Sequence, residues 1–186
     1  MKTAFVVSLI ASLALASPHG PGDSPKAVPA ARTKTNPKGA AFVANFPPTA
    51  KIQGSVLAST APSGQGVLFS IKISGLPATG GPFMYHVHDQ PVPASGACAD
   101  AKAHLDPWAR GEVPACNASD KDSCQVGDLS GKYGNITTSG AVEKSFIDLY
   151  SSLAPGDEAY IANRSVVVHT SDKTRIGCAN FLPLKI

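Results

Sequence analysis

Three histidines fall within one stretch, FMYHVHDQPVPASGACADAKAH over residues 83–104, and a fourth closes the run Val166-Val167-Val168-His169. Side chains of an extended chain point alternately to opposite faces, so His86 and His88 share a side with Met84 while Phe83, Tyr85 and Val87 share the other. His104 follows across a loop of Pro, Gly and Ala. Imidazole nitrogen suits copper, zinc, iron and nickel, so four such residues permit a metal site without choosing its metal. H-x-H alone is a short pattern, and two polar rings on a solvated strand face would satisfy it as well. A metal site requires the rest of the chain to carry His104 and His169 to the face that holds His86 and His88.

The elements available to do this are strands. From Ala40 onward the apolar period is two: Phe42, Ala44 and Phe46 alternate, then Ile52, Gly54, Val56 and Ala58, then Val67, Phe69, Ile71 and Ile73. Pro47-Pro48, Pro62-Ser63-Gly64 and Gly75-Leu76-Pro77 supply the turns. A long irregular region from Asp89 to about Ser139 carries the cysteines, and strand pattern returns over Lys144–Tyr150 and Glu158–His169. A loop that long inside a compact domain usually serves function. With no helix of ordinary length evident, the spacing predicts an all-β antiparallel sandwich or Greek-key barrel with long loops.

The chain has 186 residues with 16 basic and 13 acidic side chains, a length suited to one domain and a charge of +3 that argues against nucleic acid as a main partner. Residues 1–16, MKTAFVVSLIASLALA, have the basic start, apolar centre and Ala-Leu-Ala end of a secretory signal peptide, too short to span a bilayer. Its removal takes away Lys2 and leaves 15 basic against 13 acidic side chains, +2. Residues 17–39 are rich in Pro, Gly, Ala and charge and are expected to form a flexible tail, with His19 a solvated tail residue. The folded body is expected over 40–186.

Four cysteines in a secreted chain imply two disulfides in one of three pairings. Cys116 and Cys124 enclose only NASDKDS, which suits a local staple and would leave Cys98 to Cys178. Sequons at Asn117, Asn135 and Asn163 fit a glycoprotein from a secretory pathway. The C-terminus FLPLKI is too short and basic for a lipid-anchor signal, so a released or loosely wall-held protein is expected, and a monomer.

Several motifs occur together and in order: HVH on a strand, Cys98 six residues before His104, GDLSGKYGNI, NRSVVVH and TRIGCANF. Over about residues 40–182 the chain resembles the copper/zinc superoxide dismutase family. That resemblance implies an immunoglobulin-like Greek-key β-barrel and one copper ion per chain held by His86, His88, His104 and His169. It also implies a Cys98–Cys178 bridge and Arg175 as the group attracting superoxide. The chemistry implied is Cu(II)/Cu(I) cycling that turns superoxide into dioxygen and hydrogen peroxide, with His104 leaving the reduced metal and supplying a proton. Exposed Lys132 and Lys173 would at most add to the positive field.

Two departures narrow the resemblance. No histidine lies between His104 and His169, so a zinc site of three histidines and Asp128 cannot be assembled and no zinc is expected. Only Thr170 to Thr174 separate His169 from Arg175, where zinc-containing members have a longer charged loop. Both losses resemble the secreted, copper-only fungal branch. That branch has a carboxylate where this chain has Gln125, which leaves Asp128 as the expected partner for the far nitrogen of His104, unless it only shapes its Gly-rich turn. Trp108 is a wall of the cavity or plain packing, and Asp89 steers an imidazole or starts a turn. The rival to an enzyme is a dismutase-like copper-binding or structural surface domain with little turnover.

Overall fold

The computed structural model describes residues 29–33 and 35–184. The signal peptide expected over 1–16, and His19, lie outside the described residues.

Seven strands form one antiparallel sheet: β1 (Ala41–Asn45), β2 (Gln53–Thr60), β3 (Val67–Leu76), β4 (Met84–His88), β5 (Gly140–Asp148), β6 (Ser165–His169) and β7 (Arg175–Pro183), in the spatial order β4-β6-β7-β1-β2-β3-β5. The alternation read from the sequence faces the core. Phe42, Ala44, Val56, Ala58, Val67, Phe69, Ile71 and Ile73 are all buried inside the curl of the sheet, with Phe69 meeting Phe146 and Phe181. Burying one such side chain stabilises the fold by about 2 kcal/mol.

The sheet curls without a ladder between its end strands β4 and β5, and the segment 125–136 fills that gap. Phe83 exchanges backbone hydrogen bonds with Ile136, the Ser130 hydroxyl pairs with both backbone groups of Tyr85, and Val87 N–H donates to Gly127 O at 2.9 Å. The outward edge of β4 is thereby satisfied, which is the requirement any exposed strand edge imposes. Within this segment lies the only α-helix among the described residues, α1 (Leu129–Tyr133), N-capped by Asp128, whose Oδ1 accepts from Gly131 N–H at 2.7 Å. On the far side Lys144 Nζ donates to the carbonyls of Tyr133 and Gly134 at 2.7 and 2.9 Å, so β5 grips the same segment.

The structure differs from expectation in five places. β7 went unread because Gly177, Cys178 and Ala179 are all buried, so its small residues leave no alternation to detect. The strand expected over 158–169 begins at Ser165, since turns through Tyr160–Arg164 precede it, and β5 starts earlier than Lys144. The tail expected over 17–39 is docked from Pro29 onward: Ala30, Thr33 and Asn36 are buried, and Thr33 N–H donates to Leu149 O at 2.8 Å. Finally, Lys132 is 2 % exposed rather than a surface charge; its ammonium pairs with Asp148 at the end of β5.

Candidate metal centre

β4 places His86 and His88 on one face by simple alternation, and both rings are buried at 6 % and 1 % exposure because β6 and the loop before His104 cover them. His104 is delivered by a backbone bridge to His88, closed by Leu105 N–H to Val87 O and Asp89 N–H to Ala103 O, both 2.9 Å. His169 ends β6 opposite Met84, and the short β6–β7 turn sets Arg175 beside it in register. One ring nitrogen from each of His86, His88, His104 and His169 lies within 4.8 Å of all the others.

Hydrogen bonds fix which nitrogen faces inward. A carbonyl can only accept, so His88 Nδ1 donates to Lys102 O at 3.0 Å and His169 Nδ1 donates to Lys173 O at 3.1 Å. Their bare Nε2 atoms then face each other at 3.2 Å, an unfavourable approach unless a cation lies between them. Gln125 turns its amide nitrogen to Asp106 Oδ2 at 3.1 Å, which leaves Oε1 to accept from His104 Nδ1 at 2.7 Å. His86 is reversed: its Nε2 lies 3.5 Å from Asp128 Oδ1, and its buried Nδ1 has no hydrogen-bond partner. Three inward Nε2 and one inward Nδ1, all without protons, are a donor set suited to a transition metal, and the orphaned Nδ1 is otherwise unexplained.

Burial and the neighbouring imidazoles hold His86, His88 and His169 neutral. Desolvation first, then the charge His104 would carry, pushes His88 down to about 3; the same causes lower His86 further, and burial lowers His169. Arg175 lines the cavity, its Nη1 donating to the carbonyls of Cys98 and Ala99 and its Nη2 to that of Lys102, so it braces the loop that orients His88. That loop is tied to β7 by Cys98–Cys178, with Cα atoms 5.7 Å apart, and a second disulfide, Cys116–Cys124, lines the opposite wall. The cavity is about 410 Å³, and across its rim Lys173 Nζ meets Glu112 Oε2 at 3.0 Å.

The expected partner of His104 requires correction. Gln125, not Asp128, holds that ring, because the amide can accept from His104 and donate to Asp106 at once; Asp128 caps α1 and stands beside His86. Asp106, two residues after a histidine of the cluster, and Glu112 were missed; an acidic residue that close to His104 was the available signal. Trp108 packs on the core. Asp89 pairs with Arg164 at 2.8 Å and touches no imidazole.

The family profile of copper/zinc superoxide dismutase (SODC) matches residues 52–177. The chain belongs to that family. It is 37 % identical to the cell surface Cu-only superoxide dismutase of Arthroderma benhamiae, over 95 % of this chain and 53 % of that one. It is 39 % identical to cell surface superoxide dismutase [Cu-Zn] 4 of Candida albicans, over 99 % of this chain and 72 % of the other. The chain thus spans about half the length of the first relative and under three quarters of the second. Among solved structures, Candida albicans superoxide dismutase 5 with Cu(II) matches with a TM-score of 0.71 at 37 % identity, covering 79 % of this chain and 94 % of that one. The names of these family members disagree on zinc, so the metal content of this dismutase-family chain has to be argued from its own side chains.

Proposed function

We propose that the protein is an extracellular copper-only superoxide dismutase. The observation that carries this is one ring nitrogen from each of His86, His88, His104 and His169 within 4.8 Å of all the others, with His86 Nδ1 buried and without a hydrogen-bond partner. Copper bound there supplies the one-electron chemistry, oxidising one superoxide to dioxygen and reducing the next to hydrogen peroxide. The protein's part is to orient and to admit. Arg175 has donors beyond the three that brace the loop, and its fixed guanidinium gives a small anion charge and paired N–H groups at the cavity. Gln125 accepts from His104 Nδ1 and so turns the Nε2 of that ring toward the cavity.

A neighbouring zinc is disfavoured by the residues that would have to hold it. Asp128 already accepts from Gly131 N–H and stands at His86, while His104 Nδ1 is turned to an amide oxygen. One copper and no zinc per chain is therefore the composition we assign. A cell-surface or secreted location is supported by the names of the relatives and by the leader, and the three sequon asparagines, Asn117, Asn135 and Asn163, are exposed as glycosylation requires. Among the described residues no helix is long and apolar enough to cross a membrane.

The test is metal analysis of the secreted protein by mass spectrometry, followed by a superoxide-consumption assay beside His169→Ala. One copper per chain with activity lost in the variant is expected. Copper binding without turnover would leave a binding domain instead, and equimolar zinc would remove the copper-only assignment.

A further inference from the structure

Lys132 is a buried cation that the chemistry above does not use. Its side chain and that of Asp148 are both 0 % exposed, and its ammonium also donates to Val126 O at 2.8 Å. Asp148 is itself fixed, its other oxygen accepting from Tyr150 and Ser151 N–H at 3.0 and 2.6 Å. The Tyr150 and Tyr133 rings lie 5.1 and 5.9 Å from the ammonium. A buried pair of this kind adds little stability over apolar residues of equal volume, but it admits only one geometry. Nζ reaches Val126 O and Asp148 together only when the turn before α1 and the end of β5 hold one relative position.

The clamped segment carries both side chains that orient the odd half of the cluster. Gln125 precedes Val126 and sets His104; Asp128 follows Gly127 and faces His86. His88 and His169 take their orientation from elsewhere, from the carbonyls of Lys102 and Lys173. We propose that Lys132 is a positioning residue: its ion pair with Asp148 and its bond to Val126 O hold residues 125–128 so that Gln125 and Asp128 keep the His104 and His86 rings each in one tautomer. In this arrangement the charge pair braces, from the core side, the wall on which zinc would otherwise have to be assembled. The inference builds on the metal-site reading, but its test needs no metal.

The experiment compares the metal-free, full secreted protein with the double variant Lys132→Met, Asp148→Asn, which removes both charges and strands neither. Imidazole nitrogen shifts measured by NMR at neutral pH report the tautomer of each ring, and amide spectra report the fold. In the unaltered protein His104 is expected as the Nδ1–H form and His86 as the Nε2–H form. In the double variant both are expected to move toward the averaged shifts of free imidazole, while His88 and His169 keep theirs. Four unchanged rings would overturn the proposal, and so would four rings loosened alike, which would mark a merely structural role. If the double variant does not fold, Asp148→Asn alone, which keeps one oxygen for the Tyr150 and Ser151 N–H groups and takes away the acceptor of Lys132, must show the same contrast between the two pairs of rings; its absence there would equally refute the proposal. A protein that binds no copper would fail the dismutase reading and leave these shifts to decide this one.

Discussion

At the scale of single residues, the neutrality of the imidazoles sets the pH behaviour. Burial lowers the folded values of His88, His86 and His169 below the ordinary value near 6.5, so the unfolded chain binds more protons at pH values between the folded values and that one. Stability is complete above about 6.5 and is lost as the pH falls toward the folded value of His88, about 3. The metal-free protein should show a Tm that declines between pH 7 and 4, measured by calorimetry, and a flat Tm would contradict the buried, neutral cluster. Gln125 offers a sharper residue-level check. Gln125→Glu would set a carboxylate against Asp106 Oδ2, now 3.1 Å from the amide nitrogen, and two such groups retain a proton more tightly than in the unfolded chain. A raised folded value means stability held at low pH and lost as pH rises, so the Tm deficit of the variant should be larger at pH 8 than at pH 5. The four histidines were legible because alternation and chain order name them. The pairing of Gln125 with His104 was not, since which of two neighbouring polar side chains reaches a ring depends on the turn between them, and the Gly127 turn sends Asp128 to His86 instead.

At the scale of elements, closure of the sheet and closure of the cavity depend on short loops. A Cβ on Gly127 would lie 2.1 Å from Val87 O, where backbone cannot yield, so Gly127→Ala should cost about 2–3 kcal/mol in denaturant unfolding and should loosen Gln125 and Asp128 together. The rim pair Glu112–Lys173 is exposed and weak, at 62 and 75 % side-chain exposure, so its consequence is electrostatic rather than structural. Two unit charges roughly 8 Å apart in water interact by about 0.5 kcal/mol. Glu112→Gln should therefore raise superoxide consumption about twofold at low ionic strength, and the gain should vanish in about 0.5 M salt. A gain that persisted in salt would mean that the loop, not the charge, controls entry. Strands β1 to β3 were readable because buried positions alternate along them, and β6, buried throughout, because of its unbroken run of Val; segment 125–136 was not, because its role is to satisfy the edge of another strand, and such pairing leaves no period of its own.

At the scale of the molecule, the chain is held by covalent closures as well as by its core. Cys98–Cys178 spans 80 residues and anchors the loop whose carbonyls receive Arg175 and His88. On loop entropy alone, removing it with a double Cys→Ser change should cost about 4.5 kcal/mol, visible as a lowered denaturation midpoint. The shorter Cys116–Cys124 bridge, spanning 8 residues, should cost about 2.5 kcal/mol by the same relation.

The docked residues before β1 extend the folded body in an unexpected direction. Asn36 gives its amide to Gly66 O at 2.7 Å and receives Leu153 N–H at 2.7 Å, while the Thr33 hydroxyl caps Ser151 O at 2.8 Å. Any recombinant version trimmed to begin at Ala40 would strip those partners from three buried main-chain groups, one at Gly66 before β3 and two in the loop that follows Asp148. An expression boundary placed by composition alone would thus injure the folded body far from the cut, and a start no later than Pro29 keeps these partners.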